Sequence, residues 1–416
     1  MTRLLFRNAR LVDPASGRDS IGALLAVDGR IAALDDAAHT ADADRIVDCR
    51  GHVLCPGLID LMAYEAEPAA CLAGGITTTA LLPKPGRPLD TDAAVEQVAR
   101  RTGGIGVLAH GAATQGLAGR DMAELGLMRA AGAVAFTDGR RALADARVMR
   151  RVLTYAGHLG AAVIQHCEEP SLAAGGQMTE GFTATRLGLA GIPPAAEVIM
   201  AERDARLAAL TGGHCHLGQV TTAAALAVVA ERKAAGAPLT CGISPHHLTL
   251  NETAVGDYRT FAKLSPPLRD ESDRAAAVRA VADGTVDVIT SVHDPQDEED
   301  KRLPFAEAAP GVVGAEHLLA LSLALVHKED ASLMRVLHCL TAGPAALLGL
   351  SSGRLAPGAP ADLCLVDLNA PWRIDKEALS GRTKNTPHDG LPVQGQVLMT
   401  VAAGRIEFAR NGWSRG

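Results

Sequence analysis

The stretch Val53-Leu54-Cys55-Pro56-Gly57-Leu58-Ile59-Asp60 is an apolar run that a Pro-Gly pair interrupts and a carboxylate ends. Short apolar runs bounded by turn residues are typical of buried strands. Residues 53–59 therefore form the first of eight candidate strands. The other seven runs of this character are residues 77–82, 105–109, 133–136, 161–166, 214–220, 239–243 and 286–290.

Helical stretches rich in Ala, Leu and Arg separate most of these runs. They comprise residues 92–101, 144–159, 195–210, 222–235 and 273–282. Strands that alternate with helices predict an α/β fold, and eight such units predict a closed (β/α)8 TIM-like barrel, with an open doubly wound sheet as the alternative. In a barrel, reactive groups lie at the C-terminal ends of the strands.

Both ends of the chain have a different character. Short strand-like runs occur at residues 4–6, 10–12, 23–27 and 30–34, and Asp28-Gly29 predicts a hairpin turn between the last two. Similar runs return at residues 361–367, 397–401 and 403–408. We expect the two ends to pair in a small composite β-sandwich, built from residues 1–54 and 351–416 around a barrel of residues 55–350.

Composition limits the classes of function. The 47 acidic and 40 basic residues are interleaved and give a net charge of −7. The sequence therefore has no block of basic residues that would indicate binding to nucleic acid or to a membrane. The eight cysteines are scattered, without a Cys-x-x-Cys pair. Since the N-terminal residues lack the apolar core of a secretory signal, we expect a cytoplasmic protein.

Several motifs resemble the class I dihydroorotases of the amidohydrolase superfamily, in family order. They include Pro56-Gly57-Leu58-Ile59-Asp60, Gly74-Gly75-Ile76-Thr77-Thr78, Gln165-His166-Cys167-Glu168, Pro245-His246-His247-Leu248, Pro266-Pro267-Leu268-Arg269 and Asn385-Thr386-Pro387. The resemblance implies a (β/α)8 barrel with a β-domain from both termini. It also implies a zinc centre whose activated water opens or closes the cyclic amide of dihydroorotate.

The family's metal ligands, however, are largely replaced in this sequence. The His-x-His pair after the Pro-Gly-Leu-Ile-Asp run falls at Met62 and Tyr64, a later histidine at Gln219, and the aspartate that also moves the proton at Val292. A thioether is a poor zinc ligand and a phenol ionises only near pH 10. The resemblance therefore predicts that no catalytic residue set is intact.

Two metal-ligand positions survive, at Asp138 and His166. We interpret both as vestigial residues of a barrel mouth, although a residual mononuclear zinc site stays open as an alternative. A bridging carboxylated lysine is excluded, because no lysine lies between Lys84 and Lys233.

The substrate contacts implied by the resemblance are altered as well. The arginine that pairs with the substrate carboxylate falls at Ala66, and two asparagines fall at Lys84 and Ser265. His293 is kept as a vestigial substrate contact.

Three other polar clusters are more simply interpreted as structural or solvent-exposed residues than as functional sites. His214-Cys215-His216 resembles a ligand cluster, but the two histidines share one face of a strand, and the resembling family keeps His216 without using it as a metal ligand. His293-Asp294 with His246 and His247 could form an acid–base site, although adjacent residues usually point to different sides. The charged residues 297–302 predict a solvated loop.

Two hypotheses follow from these observations. The first is a non-catalytic dihydroorotase-like protein that binds no cofactor, forms a homo-oligomer and supports aspartate transcarbamoylase. The second is a cyclic-amide hydrolase with a remodelled site that uses Asp138, His166, His293 and Asp294. Loss of metal ligands and substrate contacts together favours the first.

Overall fold

The computed structural model describes residues 3–39, 42–99 and 103–413. Its strands, in chain order, are β1 (Arg3–Asp13), β2 (Arg18–Val27), β3 (Arg30–Leu34), β4 (Arg45–Asp48), β5 (Val53–Pro56), β6 (Leu58–Ala63), β7 (Ile76–Leu81), β8 (Gly106–Gly111), β9 (Ala133–Phe136), β10 (Ala162–Gln165), β11 (Met178–Thr179), β12 (Gly191–Ile192), β13 (Cys215–Leu217), β14 (Leu239–Ile243), β15 (Val288–Ile289), β16 (Leu363–Arg373), β17 (Pro392–Ala402) and β18 (Arg405–Ala409).

The helices are α1 (Asp36–His39), α2 (Pro68–Ala73), α3 (Asp92–Ala99), α4 (Leu125–Ala130), α5 (Ala146–His158), α6 (Pro170–Ala173), α7 (Phe182–Leu187), α8 (Ala195–Thr211), α9 (Ala223–Ala234), α10 (Pro245–Thr249), α11 (Glu271–Asp283), α12 (Glu298–Arg302), α13 (Leu318–His327), α14 (Leu333–Leu340) and α15 (Ala342–Leu348). Short 3₁₀ turns cover Gln115–Leu117, Glu252–Val255, Thr260–Ala262 and Lys376–Ala378.

Eight parallel strands form the barrel in the order β6-β7-β8-β9-β10-β13-β14-β15. The ring comes close to closing between β6 and the residues after β15, where Ala63 bridges His293 and the Met62 amide donates to Thr290 Oγ1 at 2.9 Å. The predicted (β/α)8 barrel is confirmed, and the open doubly wound sheet is excluded.

The two ends of the chain share a second sheet, in the order β18-β17-β16-β5-β1-β2-β3, with β4 paired to β1. Strand β5 is its junction, since it runs parallel to β1 and antiparallel to β16. The predicted hairpin is also present: Asp28 and Gly29 both have positive φ, at 47° and 83°, as a tight turn with right-handed twist requires.

The first predicted strand, residues 53–59, is wrong as a single element. Val53–Pro56 is β5 of the composite sheet, and barrel strand one is β6, which begins at Leu58. Gly57 separates them where a side chain would not fit, because a Cβ there would lie 2.3 Å from the Thr77 side chain. The change of sheet therefore occurs at the Pro-Gly pair.

Two further expectations need correction or restriction. Residues 298–302 of the charged run form α12 instead of a loop, and Lys301 is buried, with its Nζ donating to Thr260 O and Ala309 O. In the predicted helix 92–101, residues Asp92–Ala99 are helical, and residues 100 and 101 lie outside the described part of the chain.

Helix starts around the barrel follow from capping residues that the sequence provides. Asp145, Thr222 and Asp270 each accept a hydrogen bond from a backbone amide in the first turn of α5, α9 and α11, respectively. Amides that the helix itself leaves unpaired are satisfied in this way. No helix in the described part of the chain is long and apolar enough to cross a membrane.

Three of the five apolar clusters in the described part of the chain position the barrel and the composite sheet. One cluster fills the space between the strands and the outer helices and includes Phe136, Val163 and Leu217. A smaller one lies in the barrel around Leu61 and Ile164, and a third packs under the composite sheet. In β8, for example, Val107 and Ala109 belong to the first cluster and Leu108 packs against the second, as the two-residue period of a strand requires.

Candidate functional site

The C-terminal ends of the barrel strands surround a cavity of about 410 Å³. Its lining brings together residues that follow strands β6, β7, β9 and β15, namely Tyr64, Pro83, Lys84, Pro85, Asp138, Arg140, Arg141, Asp294 and Gln296. The barrel therefore gathers Tyr64, Lys84 and Asp138 at one mouth, as the sequence predicts for strand ends.

A guanidinium group lies across this mouth. Arg140 Nη2 is 2.6 Å from Asp294 Oδ2, and the guanidinium carbon of Arg140 lies 4.6 Å from the centre of the Tyr64 ring. Asp294 is only 4% exposed and the Arg140 side chain is 27% exposed, so the carboxylate end of the pair is the one shielded from water. Sequence reasoning missed Arg140, although it stands two residues after the surviving Asp138.

Met62 and Tyr64 are buried parts of the apolar cluster inside the barrel, where Ile164 and Val288 also lie. The Met62 side chain packs closely on Gly218, because a Cβ added there would lie 2.9 Å from Met62 Cε. Burial raises the pKa of the Tyr64 phenol, although the Arg140 charge opposes this rise. Both residues thus fill space, and Tyr64 is held in its neutral form.

Asp138 is anchored by the segment that follows β8. Its Oδ1 accepts hydrogen bonds from the amides of Ala113 at 3.0 Å and Thr114 at 2.9 Å, and its Oδ2 accepts from the Thr114 hydroxyl. Burial raises the pKa of Asp138 despite these bonds. Since both carboxylate oxygens have protein donors, this residue supports loop structure.

His166 is engaged by two neighbours at the end of β10. Its Nε2 lies 3.2 Å from Glu168 Oε2 and 3.3 Å from Ser265 Oγ. Burial alone would raise the pKa of Glu168, but the hydrogen bond with His166 holds that pKa below its ordinary value. Glu168, which the sequence analysis did not single out, is therefore the partner of the surviving histidine.

The other replaced positions have unremarkable surroundings. Gln219 Nε2 donates to Gly218 O at 2.9 Å, and Val292 is partly buried with a positive φ of 49°. Ala66 packs against the main core, and Lys84 forms a 2.6 Å ion pair with Glu65. None of these contacts supplies a proton acceptor at the position of Val292.

His293 and Asp294 point to different sides. His293 Nε2 lies 3.1 Å from Glu67 Oε2, and its Nδ1 accepts from the Gly314 amide at 3.2 Å. Asp294 turns to Arg140 instead. The acid–base site considered for His293, Asp294, His246 and His247 is therefore not assembled.

The other histidines that the sequence analysis named contact neighbouring side chains and backbone. His246 Nδ1 lies 2.9 Å from His388 Nε2, and their rings stack. His247 contacts Ser244 Oγ and Pro266 O. His214 Nε2 and His216 Nδ1 both lie 2.9 Å from Thr240 Oγ1, and the absence of metal on this strand face stays a prediction.

The donor set does not fit a zinc centre. Across residues 3–39, 42–99 and 103–413, no three His, Cys, Asp or Glu side chains are grouped so that they could hold a metal ion. The retained Asp138 and His166 already have protein partners, and Arg140 places a positive charge in the same mouth. That the chain binds no metal stays a prediction.

Comparisons with known proteins extend these observations. A family model described as dihydro-orotase-like matches residues 51–225, and an amidohydrolase family model matches residues 324–408. A dihydroorotase of Desulforapulum autotrophicum is 40% identical over 423 residues, which cover 97% of this chain and 99% of the relative. The chain belongs to the dihydroorotase family.

A second member of the dihydroorotase family, from Syntrophotalea carbinolica, is 38% identical over 98% of this chain and 99% of its own length. Among solved structures, an L-hydantoinase (dihydropyrimidinase) from Arthrobacter aurescens superposes with a TM-score of 0.86 at 22% identity, covering 98% of this chain and 96% of that one. A dihydropyrimidinase from Brevibacillus agri gives 0.85 at 22% identity over 99% and 96%. These structures support the fold of the dihydroorotase-like chain.

Proposed function

We propose that this dihydroorotase-like amidohydrolase of pyrimidine biosynthesis is non-catalytic and acts as a structural partner of aspartate transcarbamoylase. The observation that carries the proposal is the Arg140 guanidinium, fixed across the barrel mouth by Asp294 and Tyr64. The ion pair uses Asp294 and fills the mouth with a side chain that cannot bind a metal ion, and the residues around it offer no replacement for the lost imidazoles. Without an activated water, the family's amide chemistry has no nucleophile.

Metal content is the first test of this proposal. We expect the purified protein to hold well under one equivalent of zinc after dialysis, because Met62, Tyr64, Gln219 and Val292 occupy ligand positions. Elemental analysis of the dialysed chain, compared with an active dihydroorotase treated in the same way, measures this. One tightly held zinc ion per chain would contradict the proposal.

Turnover is the second test. We expect dihydroorotate neither to form nor to be hydrolysed above background, because Val292 stands at the base position and Ala66 at the carboxylate anchor. A single Met62→His change should not restore activity, since groups that act as a unit are non-additive. Turnover that His166→Ala abolishes would refute the non-catalytic assignment.

The structural role is supported by a contrast within the chain. The barrel, the composite sheet and their cores are intact, while the residues that carry the family's chemistry are replaced. Most substitutions destabilise a protein, so a fold retained without its chemistry implies that its surface is needed. The transferase is the partner that the family resemblance implies.

Copurification with aspartate transcarbamoylase tests this partnership. Size-exclusion chromatography of each protein alone and of their mixture should give a larger species only in the mixture, and transferase activity should depend on this chain. The same runs give the oligomeric state of the chain, which we expect to be a homo-oligomer. A transferase that is fully assembled and active alone, with no larger species in the mixture, would overturn the partnership.

A cyclic-amide hydrolase with a remodelled site is the second candidate. The relatives that cover nearly the whole chain are named dihydroorotase, and the mouth keeps a cavity of about 410 Å³ beside Asp138. A panel of cyclic amides and ureides, assayed with the unmodified chain and with His166→Ala, separates the candidates. Activity that depends on His166 would favour this second function.

A further inference from the structure

A second and larger cavity, of about 570 Å³, adjoins the mouth on the side of strands β8, β9 and β10. Its lining residues follow those strands and fall within the segments 117–120, 140–145 and 166–173. Arg140 and Arg141 line both cavities. The volume is in the range of small-molecule sites, which span about 300–1,000 Å³.

One wall of this second cavity holds an incompletely satisfied carboxylate. Glu168 is 12% exposed, and its Oε2 contacts His166. Its Oε1 is buried and receives no hydrogen bond from any residue that the structure describes. A buried acceptor without a donor costs about 1–3 kcal/mol, and more when it is charged. Glu168 is itself one of the residues that line the cavity, so its carboxylate places negative charge at the cavity wall.

The rim of the same cavity holds two arginines with spare donors. Arg120 and Arg141 are exposed, and neither forms an ion pair within the described ranges. Arg141 uses only Nη1, which donates to Leu117 O at 3.2 Å. Arg140, by contrast, forms an ion pair with Asp294. The rim thus offers guanidinium donors to an anionic group.

We propose that this cavity binds a small zwitterion of the amino-acid class, whose ammonium group donates to Glu168 and whose carboxylate is held by Arg141 and Arg120. A dicarboxylate would leave the Glu168 oxygen facing like charge, and a diamine would leave the arginines unpaired. The site requires neither metal nor turnover, so it goes beyond the proposed function and does not depend on it.

Isothermal titration calorimetry with the full chain tests the site, using glycine as a zwitterion, L-aspartate as an amino acid that differs from succinate by one ammonium group, succinate as a dianion and 1,4-diaminobutane as a dication. We expect saturable binding of a zwitterion and weaker or no binding of the other two. Glu168→Gln and Arg141→Met should each weaken that binding roughly tenfold, the loss of one charge-assisted contact. The matched control is Arg302→Met, an exposed arginine on α12 that should leave binding unchanged.

Folding of each variant is checked by its thermal midpoint, and Arg141→Met keeps the test valid should Glu168→Gln fail to fold, because Arg141 is exposed. Succinate binding that equals aspartate binding and survives Glu168→Gln would overturn the proposal. So would the absence of saturable zwitterion binding at millimolar concentrations, or binding that neither substitution affects.

Discussion

At the scale of single residues, Arg140 determines the character of the mouth. Its charge is paired with a nearly buried carboxylate and stacked on a buried aromatic ring, so all three side chains depend on one another. Removing one member of a buried ion pair leaves the other charge uncompensated, which is costlier than removing both.

We therefore expect Arg140→Met to lower the free energy of unfolding by about 3 kcal/mol, the lower end of the range for a broken buried pair. Arg140→Met combined with Asp294→Asn should destabilise less than the sum of the single changes. Urea denaturation of the four proteins measures this coupling. The matched control is Arg302→Met in an exposed pair, with an expected change within about 0.5 kcal/mol. Equal effects of Arg140→Met and the control would contradict the prediction.

The sequence predicts where Asp138 and His166 lie along the chain and that both reach a strand end. It does not predict that Arg140 crosses the mouth, because the direction of a long side chain depends on partners from distant segments. Along the chain, Asp294 lies 154 residues after Arg140, and Tyr64 lies 76 residues before it. The pairing of His166 with Glu168 could have been predicted from the sequence, since only one residue separates them.

At the scale of elements, local chemistry at the helix starts is predictable and testable. Ser332 precedes α14, and its Oγ accepts a hydrogen bond from the Arg335 amide at 3.2 Å. The helix packs through Val336, Leu337 and Leu340, so its first turn holds this apolar face in register.

Replacing Ser332 by Ala should lower the free energy of unfolding by about 1 kcal/mol, whereas Ser332→Asn, which keeps a capping acceptor, should stay close to the parent. Ser351→Ala, at an exposed position outside the helices and strands, serves as the control. Urea midpoints of the three variants measure the difference. An asparagine variant as unstable as the alanine variant would argue against capping as the cause.

Element prediction succeeded where apolar runs are separated by helices and failed where two strands follow without a break. Residues 53–59 form one continuous apolar run in the sequence, and were predicted as one strand, because β5 and β6 are both fully buried. Nothing in periodicity distinguishes a buried strand of one sheet from that of another. Gly57 marks the boundary only once the Thr77 side chain is known to lie beside it.

At the scale of the whole molecule, buried histidines make stability depend on pH. Burial lowers the pKa of His110, His247 and His317 to about 4. Burial also holds the pKa of His246 and His388 well below the ordinary value. Each such group binds its proton more readily in the unfolded chain, so its stabilising contribution is complete above pH 6.5 and is lost as the pH falls toward 4.

We expect the thermal midpoint to be nearly constant from pH 8 to 7 and to fall steeply between pH 6.5 and 4, with each shifted histidine contributing up to about 1.4 kcal/mol per pH unit. Buried carboxyls such as Asp60, whose pKa is raised by burial, act in the opposite direction over the lower part of this window. Melting curves at half-unit intervals measure the slope. His388→Phe, which removes one titrating ring from the stacked pair with His246, should make the decline shallower. A midpoint independent of pH down to 5 would contradict this account.

The shared sheet of the two chain ends has a consequence for biosynthesis. Strand β5 offers β16 an edge from Val53 to Pro56, yet β16 begins only at Leu363. At a translation rate of about 5–20 residues per second, roughly 15–60 s pass between the synthesis of β5 and that of its partner strand β16. The barrel strands appear in between, so the nascent chain carries an unpaired apolar edge throughout their synthesis. A chain truncated before Leu363 should consequently be a client of cellular chaperones, whereas the full-length chain should be released from them.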